Sequence, residues 1–246
     1  MVSSQPASSL PPTPETDLVG EIDTRTRLLA AAGPIFAHHG FNRATVREIC
    51  SAAKVNIASV GYYFGDKLGL YRGVIAQIHE SREQAFPVPA VSDDDPRLRL
   101  HLLIHTLLSR MVTSDQDAWE TDLLMREMQN PTPVLKELVR DSFQPMFEQL
   151  KSVIRGLIHR DASQVVVDQL ALSAVGQCLY YRVGQSVLNI LIPDSERCQH
   201  YDVQSLSEHV TAVILAATSC ANHSESAENS SNLLHQKSEL IKLLNS

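Results

Sequence analysis

The chain has 246 residues, 43% of them apolar and 20% charged, which suits one large or two modest domains and excludes both a disulfide-stapled mini-protein and a wholly disordered chain. Aromatics are 5% and glycines number only 10, too few turn formers for an all-β sandwich. The net charge of -7 is unevenly spread: residues 21–80 hold seven bases and five acids, so a weakly basic head precedes an acidic body.

Residues 1–20 are rich in Ser, Pro and Thr without apolar periodicity and read as a disordered arm. From Ile22 the apolar positions Leu28, Leu29, Ala32, Ile35 and Phe36 recur at helical spacing up to Gly40, a helix-stopping glycine. Gly33-Pro34 predicts a kink inside this helix, because Pro34 cannot donate to the carbonyl of Ala30. Thr45, with Glu48 three residues on, forms a capping-box signature for a short helix reaching Ala53. Asn56 caps a second one over Ile57–Phe64. Gly65-Asp66 interrupt, and Lys67 opens a long helix to about Ala85.

Further helices are predicted at roughly 96–114, 117–129, 132–158, 163–191 and 203–220, with Pro145 bending the third of these. The Asp93–Asp95 run reads as a solvated turn before the helix opening at Pro96. Residues 221–231 read as a polar linker, and the leucines from Leu233 to Leu244 as a short amphipathic helix. No strand alternation and no internal repeat stands out. The fold class is all-α.

Residues 45–64 have a helix–turn–helix layout, in which the second helix enters the DNA major groove. Small residues beside Tyr62 and Tyr63 suit that surface, although a plain helical corner has the same pattern.

A resemblance resolves this. The run AAAGPIFAHHGFNRATVREICSAAKVNIASVGYYFGDKLGLYRGVI (30–75) resembles the N-terminal domain of the TetR family of transcriptional regulators. The matching blocks are Phe36-Ala37 with Gly40-Phe41, Thr45-Val46-Arg47-Glu48-Ile49, and Tyr63-Phe64 followed by Lys67. The variant N-I-A-S-V-G-Y-Y-F-G-D-K, together with R-E-x-x-x-P-T-P at Arg126–Pro133, resembles the CecR-type branch of that family. The resemblance implies a two-fold homodimer on a palindromic double-stranded DNA operator, with a helical body that dimerises and binds a small-molecule effector. It implies a phosphate contact at Thr45, base-facing positions at Ala58, Ser59, Gly61 and Tyr62, and backbone grips at Tyr63 and Lys67. Gly61 stands where many members have tyrosine, and Asn56 and Ala58 stand where serine and glycine are frequent, which bears on operator sequence.

The expected organisation is an arm (1–20), a helix–turn–helix domain (21–66), a helical effector-binding and dimerisation domain (67–220), and a linker with a terminal helix (221–246). Val60 and Phe64 are expected in the core of the head. Candidate lining for the effector pocket is Trp119, Met125, Arg126, Phe143, Phe147, Tyr180 and Tyr181, residue types that cores use as well. Apolar faces near 163–191 (Val165, Val166, Leu170, Leu172, Leu179, Val183, Val187, Leu191) and 203–220 (Leu206, Val210, Val213, Ile214, Ala217) point to dimerisation.

His101 and His105 at i, i+4 lack third and fourth ligands, so no metal is assigned. The four cysteines lie far apart and read as reduced thiols of a cytoplasmic protein. No cofactor fingerprint or nucleophile elbow stands out, and no secretory signal is expected. The longest apolar run, Ala212–Ala217, falls far short of the ~20 residues that span a bilayer, so no membrane partner is expected. The reading is a non-enzymatic, ligand-responsive repressor; the alternative is an all-α small-molecule-binding protein or enzyme that does not act on DNA.

Overall fold

The computed structural model describes residues 14–89, 95–112, 118–158 and 161–222. All secondary structure among them is helical, and none of their helices is long and apolar enough to cross a membrane. The chain forms two compact units, residues 14–78 with 118–135 and residues 79–112 with 136–222. The first therefore takes in more than the predicted head.

In the first unit α1 (Pro14–Arg43) is followed by α2 (Val46–Ala53), α3 (Ala58–Phe64), the start of α4 (Lys67–Ala85) and α6 (Ala118–Gln129). α1 opens inside the stretch read as an arm, whose first 13 residues lie outside the described ones. Pro34 sits within α1 and does not break it. The break falls instead at Gly40 (φ 75°, ψ 162°), where the left-handed region favours glycine. One further turn follows, closed by the Ala44 amide on the Gly40 carbonyl at 3.2 Å. α1 packs against α2, α3 and α6. Leu28, Phe36, Ile49, Val60, Leu70, Tyr71, Ile78 and Leu123 are buried there.

The second unit holds the end of α4, α5 (Pro96–Val112), α7 (Leu135–Leu138) from Lys136 onward, α8 (Gln144–Leu157), α9 (Gln164–Val183), α10 (Gln185–Leu191), α11 (Asp194–His200) and α12 (203–222). α5, α8 and α9 pack on one another around Leu100, Ile104, Leu108, Leu150, Ile154, Ala171 and Cys178. The bend expected at Pro145 is a π-helical turn, Val139–Phe143, closed by the Gln144 amide on the Val139 carbonyl. The wider turn accommodates the ring that would press on the carbonyl of residue 141.

The predicted 163–191 helix breaks at Gly184, and α11 is an element the sequence reading missed. Leu206, Val210 and Ile214 of α12, expected on a dimer face, are buried in this unit's own core. Asp95 accepts from the Arg97 amide at 2.9 Å and so starts α5. Asp93, the terminal helix and nearly all of the predicted linker lie outside the described residues.

Candidate nucleic-acid interface

Thr45 caps α2: its Oγ1 accepts from the Glu48 amide at 3.2 Å. The Glu48 carboxylate does not complete the capping box and instead pairs with His39 Nε2 at 3.1 Å. α2 ends on Lys54 in the left-handed conformation (φ 55°), with the Val55 amide closing on the Cys50 carbonyl at 3.0 Å. Asn56 Oδ1 then accepts from the Ala58 amide at 2.9 Å, which starts α3. α3 ends at Gly65, and Asp66 Oδ1 accepts from the Gly69 amide at 2.7 Å to cap α4.

Two cations of the unit fasten this motif to the helices around it. Arg27 of α1 donates to the Lys54 carbonyl at 2.8 Å and to the Ala53 carbonyl, taking up the C-terminal end of α2. Lys67 Nζ donates to the Ala44 carbonyl at 3.1 Å and the Asn42 carbonyl at 3.4 Å, and lies 4.6 Å from the centre of the Phe41 ring. The ammonium expected to hold a phosphate thus holds the α1–α2 junction.

Of the remaining predicted contact residues, Thr45, Ala58, Gly61 and Tyr62 are exposed, whereas Ser59 and Tyr63 are half-buried. Tyr62 and Tyr63 stack edge to face, 4.8 Å between ring centres. Val60 is buried, as expected of a core position, and Phe64 is half-buried with the Arg25 guanidinium 5.4 Å above its ring. Ile57 is exposed just ahead of α3; the sequence reading passed over it because an aliphatic residue at a helix start carries no motif.

The candidate effector residues are divided between the two units. Trp119, Met125 and Arg126 belong to the first unit; Phe143, Phe147, Tyr180 and Tyr181 belong to the second. Arg126 borders a cleft of about 440 Å³ with His39, Gly40, Tyr71, Glu127 and Pro131. Tyr180 and Tyr181 line a shallow one of about 430 Å³ on α9, with Ser173, Gly176 and Gln177. Phe143 is exposed, and Phe147 is half-buried beneath the Lys151 ammonium, 5.2 Å from its ring centre.

Beside the first cleft lies a buried polar cluster. Glu127, 1% exposed, accepts from the Tyr71 hydroxyl at 2.8 Å and from both the amide and the hydroxyl of Thr132 at 2.9 Å. Burial, then the hydrogen bond to this carboxylate, pushes the Tyr71 phenol well above its ordinary value. The R-E-x-x-x-P-T-P stretch thus supplies both the carboxylate and the loop donor that satisfies it. Among the described residues no group of three or more His, Cys, Asp or Glu is placed to hold a metal. The His101 and His105 rings lie 6.3 Å apart, beside the hydroxyls of Thr211 and Ser109.

Comparison with known proteins agrees with this architecture. Residues 28–74 match the family of bacterial regulatory proteins named for tetR, and residues 96–218, half of the chain, match the C-terminal domain of the HTH-type transcriptional dual regulator CecR. CecR of Shigella flexneri is 25% identical over 185 residues, covering 71% of this chain and 82% of that protein. The transcriptional repressor NicS of Pseudomonas putida is 33% identical over 81 residues, 33% of this chain and 38% of that one. A solved TetR-family regulatory protein from Rhodococcus RHA1 shares the fold with a TM-score of 0.57 at 16% identity, over 79% of this chain and 96% of that one. The helix–turn–helix held on α1 and the helical domain that follows it along the chain match the two parts of one known family, and the chain belongs to the TetR family of DNA-binding transcriptional regulators, in the branch that carries the CecR C-terminal domain.

Proposed function

We propose that the chain is a homodimeric repressor that binds a palindromic operator and leaves it when a small-molecule effector binds the helical body. The observation that carries this reading is the pair of surfaces left open. α3 presents an uncovered face on the DNA-binding motif. α9 and α10 leave Val165, Leu172, Tyr180, Val183, Val187, Ile190 (85% exposed) and Leu191 (69%) in water. Large apolar side chains exposed in this number support an interface, and a two-fold pairing of these helices suits two half-sites. Gly176, with open space at its missing Cβ, lies along the same helix and permits close approach of a partner helix. The effector acts by linkage: it weakens operator binding by the ratio of its affinities for the two arrangements of the dimer.

In this reading the protein works in the cytoplasm and carries out no catalytic step. A gel-shift titration on the protein's own upstream region at stated salt tests it, because phosphate contacts make log K fall linearly with log salt. Retardation of that fragment well below the concentration that retards random duplex is expected. Equal retardation of both would remove the repressor reading.

A further inference from the structure

We propose that α3 reads its half-site through thymine methyl groups, with Ile57 as the specificity-determining side chain and Tyr62 beside it. This rests on α3 being the groove helix and says what kind of base that helix selects.

The face that α3 turns to solvent consists of Ile57, Ala58, Gly61 and Tyr62, at spacings that place them on one side of a helical turn. Val60 lies on the opposite, buried side. Ile57 is 54% exposed and Tyr62 is 70% exposed, while nothing lies within 4 Å of the space a Gly61 Cβ would occupy. The middle of the face is therefore bare backbone. It lets the helix approach a groove closely enough for the large side chains on either side to reach base edges.

The residue types leave out the forked and amide side chains that read guanine and adenine, and the one serine of the helix, Ser59, is half-buried and off the exposed face. Guanine is read by the forked donors of arginine or by lysine, and adenine by the amide of asparagine or glutamine. From Ile57 to Phe64 there is no Arg, Lys, Asn, Gln, Asp or Glu. Asn56, immediately before, has its amide oxygen turned back onto the Ala58 amide. The exposed cations nearby, Arg43, Arg47 and Lys54, lie on α1, on α2 and in the turn rather than on α3. An aliphatic side chain, two small residues and a phenol remain. The major groove offers one apolar group to such a surface, the C5-methyl of thymine. Covering that methyl removes from water both the base's apolar surface and that of Ile57.

The test uses the full-length protein and a random duplex pool. Selected half-sites are expected to carry thymine at one or two fixed positions. Replacing each thymine by deoxyuridine removes the methyl alone. At the position under Ile57 this should weaken binding about fourfold per half-site, the worth of one buried methyl. The penalty should vanish in Ile57→Ala, whose fold is checked by circular dichroism and which should still bind the uracil site about as well as wild type does. Ile57→Gln should move the preference at that position toward adenine. A selected site indifferent to uracil throughout, or a uracil penalty undiminished in Ile57→Ala, would overturn the proposal while leaving DNA binding intact. Failure of the pool to yield any enriched sequence would overturn both the proposal and the reading beneath it.

Discussion

Glu127 shows how much one side chain settles in the first unit. A carboxylate removed from water needs partners for its lone pairs, and Tyr71 and Thr132 supply three donors. Glu127→Ala would strand those donors, so a loss of about 3 kcal/mol is expected in denaturant unfolding. Glu127→Gln, which keeps the shape, should lose less. Tyr71 adds a pH signature. Its folded-state phenol is held above the unfolded value of 10, so the stabilisation is complete below pH 10. As pH rises above 10 the unfolded chain ionises while the folded one does not, and stability falls by about 1.4 kcal/mol per pH unit. Tyr71→Phe should flatten that decline in a pH series of unfolding curves. Lys67 supports a different expectation from the one its motif implies. Because its ammonium serves the Asn42 and Ala44 carbonyls, Lys67→Ala should lower stability by about 1 kcal/mol. It should also leave the slope of log K against log salt unchanged, where loss of a phosphate contact would reduce it by about one per subunit.

At the scale of elements, α6 docks on α1 through two glycines seven residues apart. A Cβ on Gly33 would lie 2.3 Å from the Trp119 ring, and one on Gly40 would lie 3.3 Å from the Arg126 guanidinium. Trp119 and Arg126 are likewise seven apart, so two successive pairs of turns face one another. Gly33→Ala therefore overpacks a rigid indole and should cost about 1–3 kcal/mol. Trp119 is the sole tryptophan, so its emission should shift in that variant and report the displacement directly. The caps of α2 and α3 were legible because Thr45 and Asn56 act on amides two or three residues away. Trp119, by contrast, read as pocket lining because a large aromatic looks the same in a cavity, in a core or against a glycine.

On the scale of the whole molecule, the unsatisfied surface lies on α9 and α10. Charge at its centre should abolish pairing without harming the subunit, since the side chain is already in water. Val187→Glu is expected to halve the mass measured by light scattering at micromolar concentration while leaving the helical circular dichroism intact. The cysteines should divide by burial. Cys178, pushed up to about 12 by desolvation, and Cys50, also raised by burial, should resist alkylation in the native state, whereas exposed Cys198 reacts.

What the sequence by itself determined are the features set within a few residues. These include the helical class, the stops at Gly40 and Gly65, the Thr45 and Asn56 caps, the buried position of Val60, and the block spacing that marks the family. Only the tertiary structure decided that the first compact unit includes α6, that Lys67 faces carbonyls, that Arg126 and Glu127 border a cleft with residues of the head, and that Leu206, Val210 and Ile214 of α12 are core. The reason is separation along the chain. Tyr71 and Glu127 meet across 56 positions and Arg126 and His38 across 88. A helical period shows that a side chain will be buried, but the partner that buries it is supplied by packing from elsewhere in the fold.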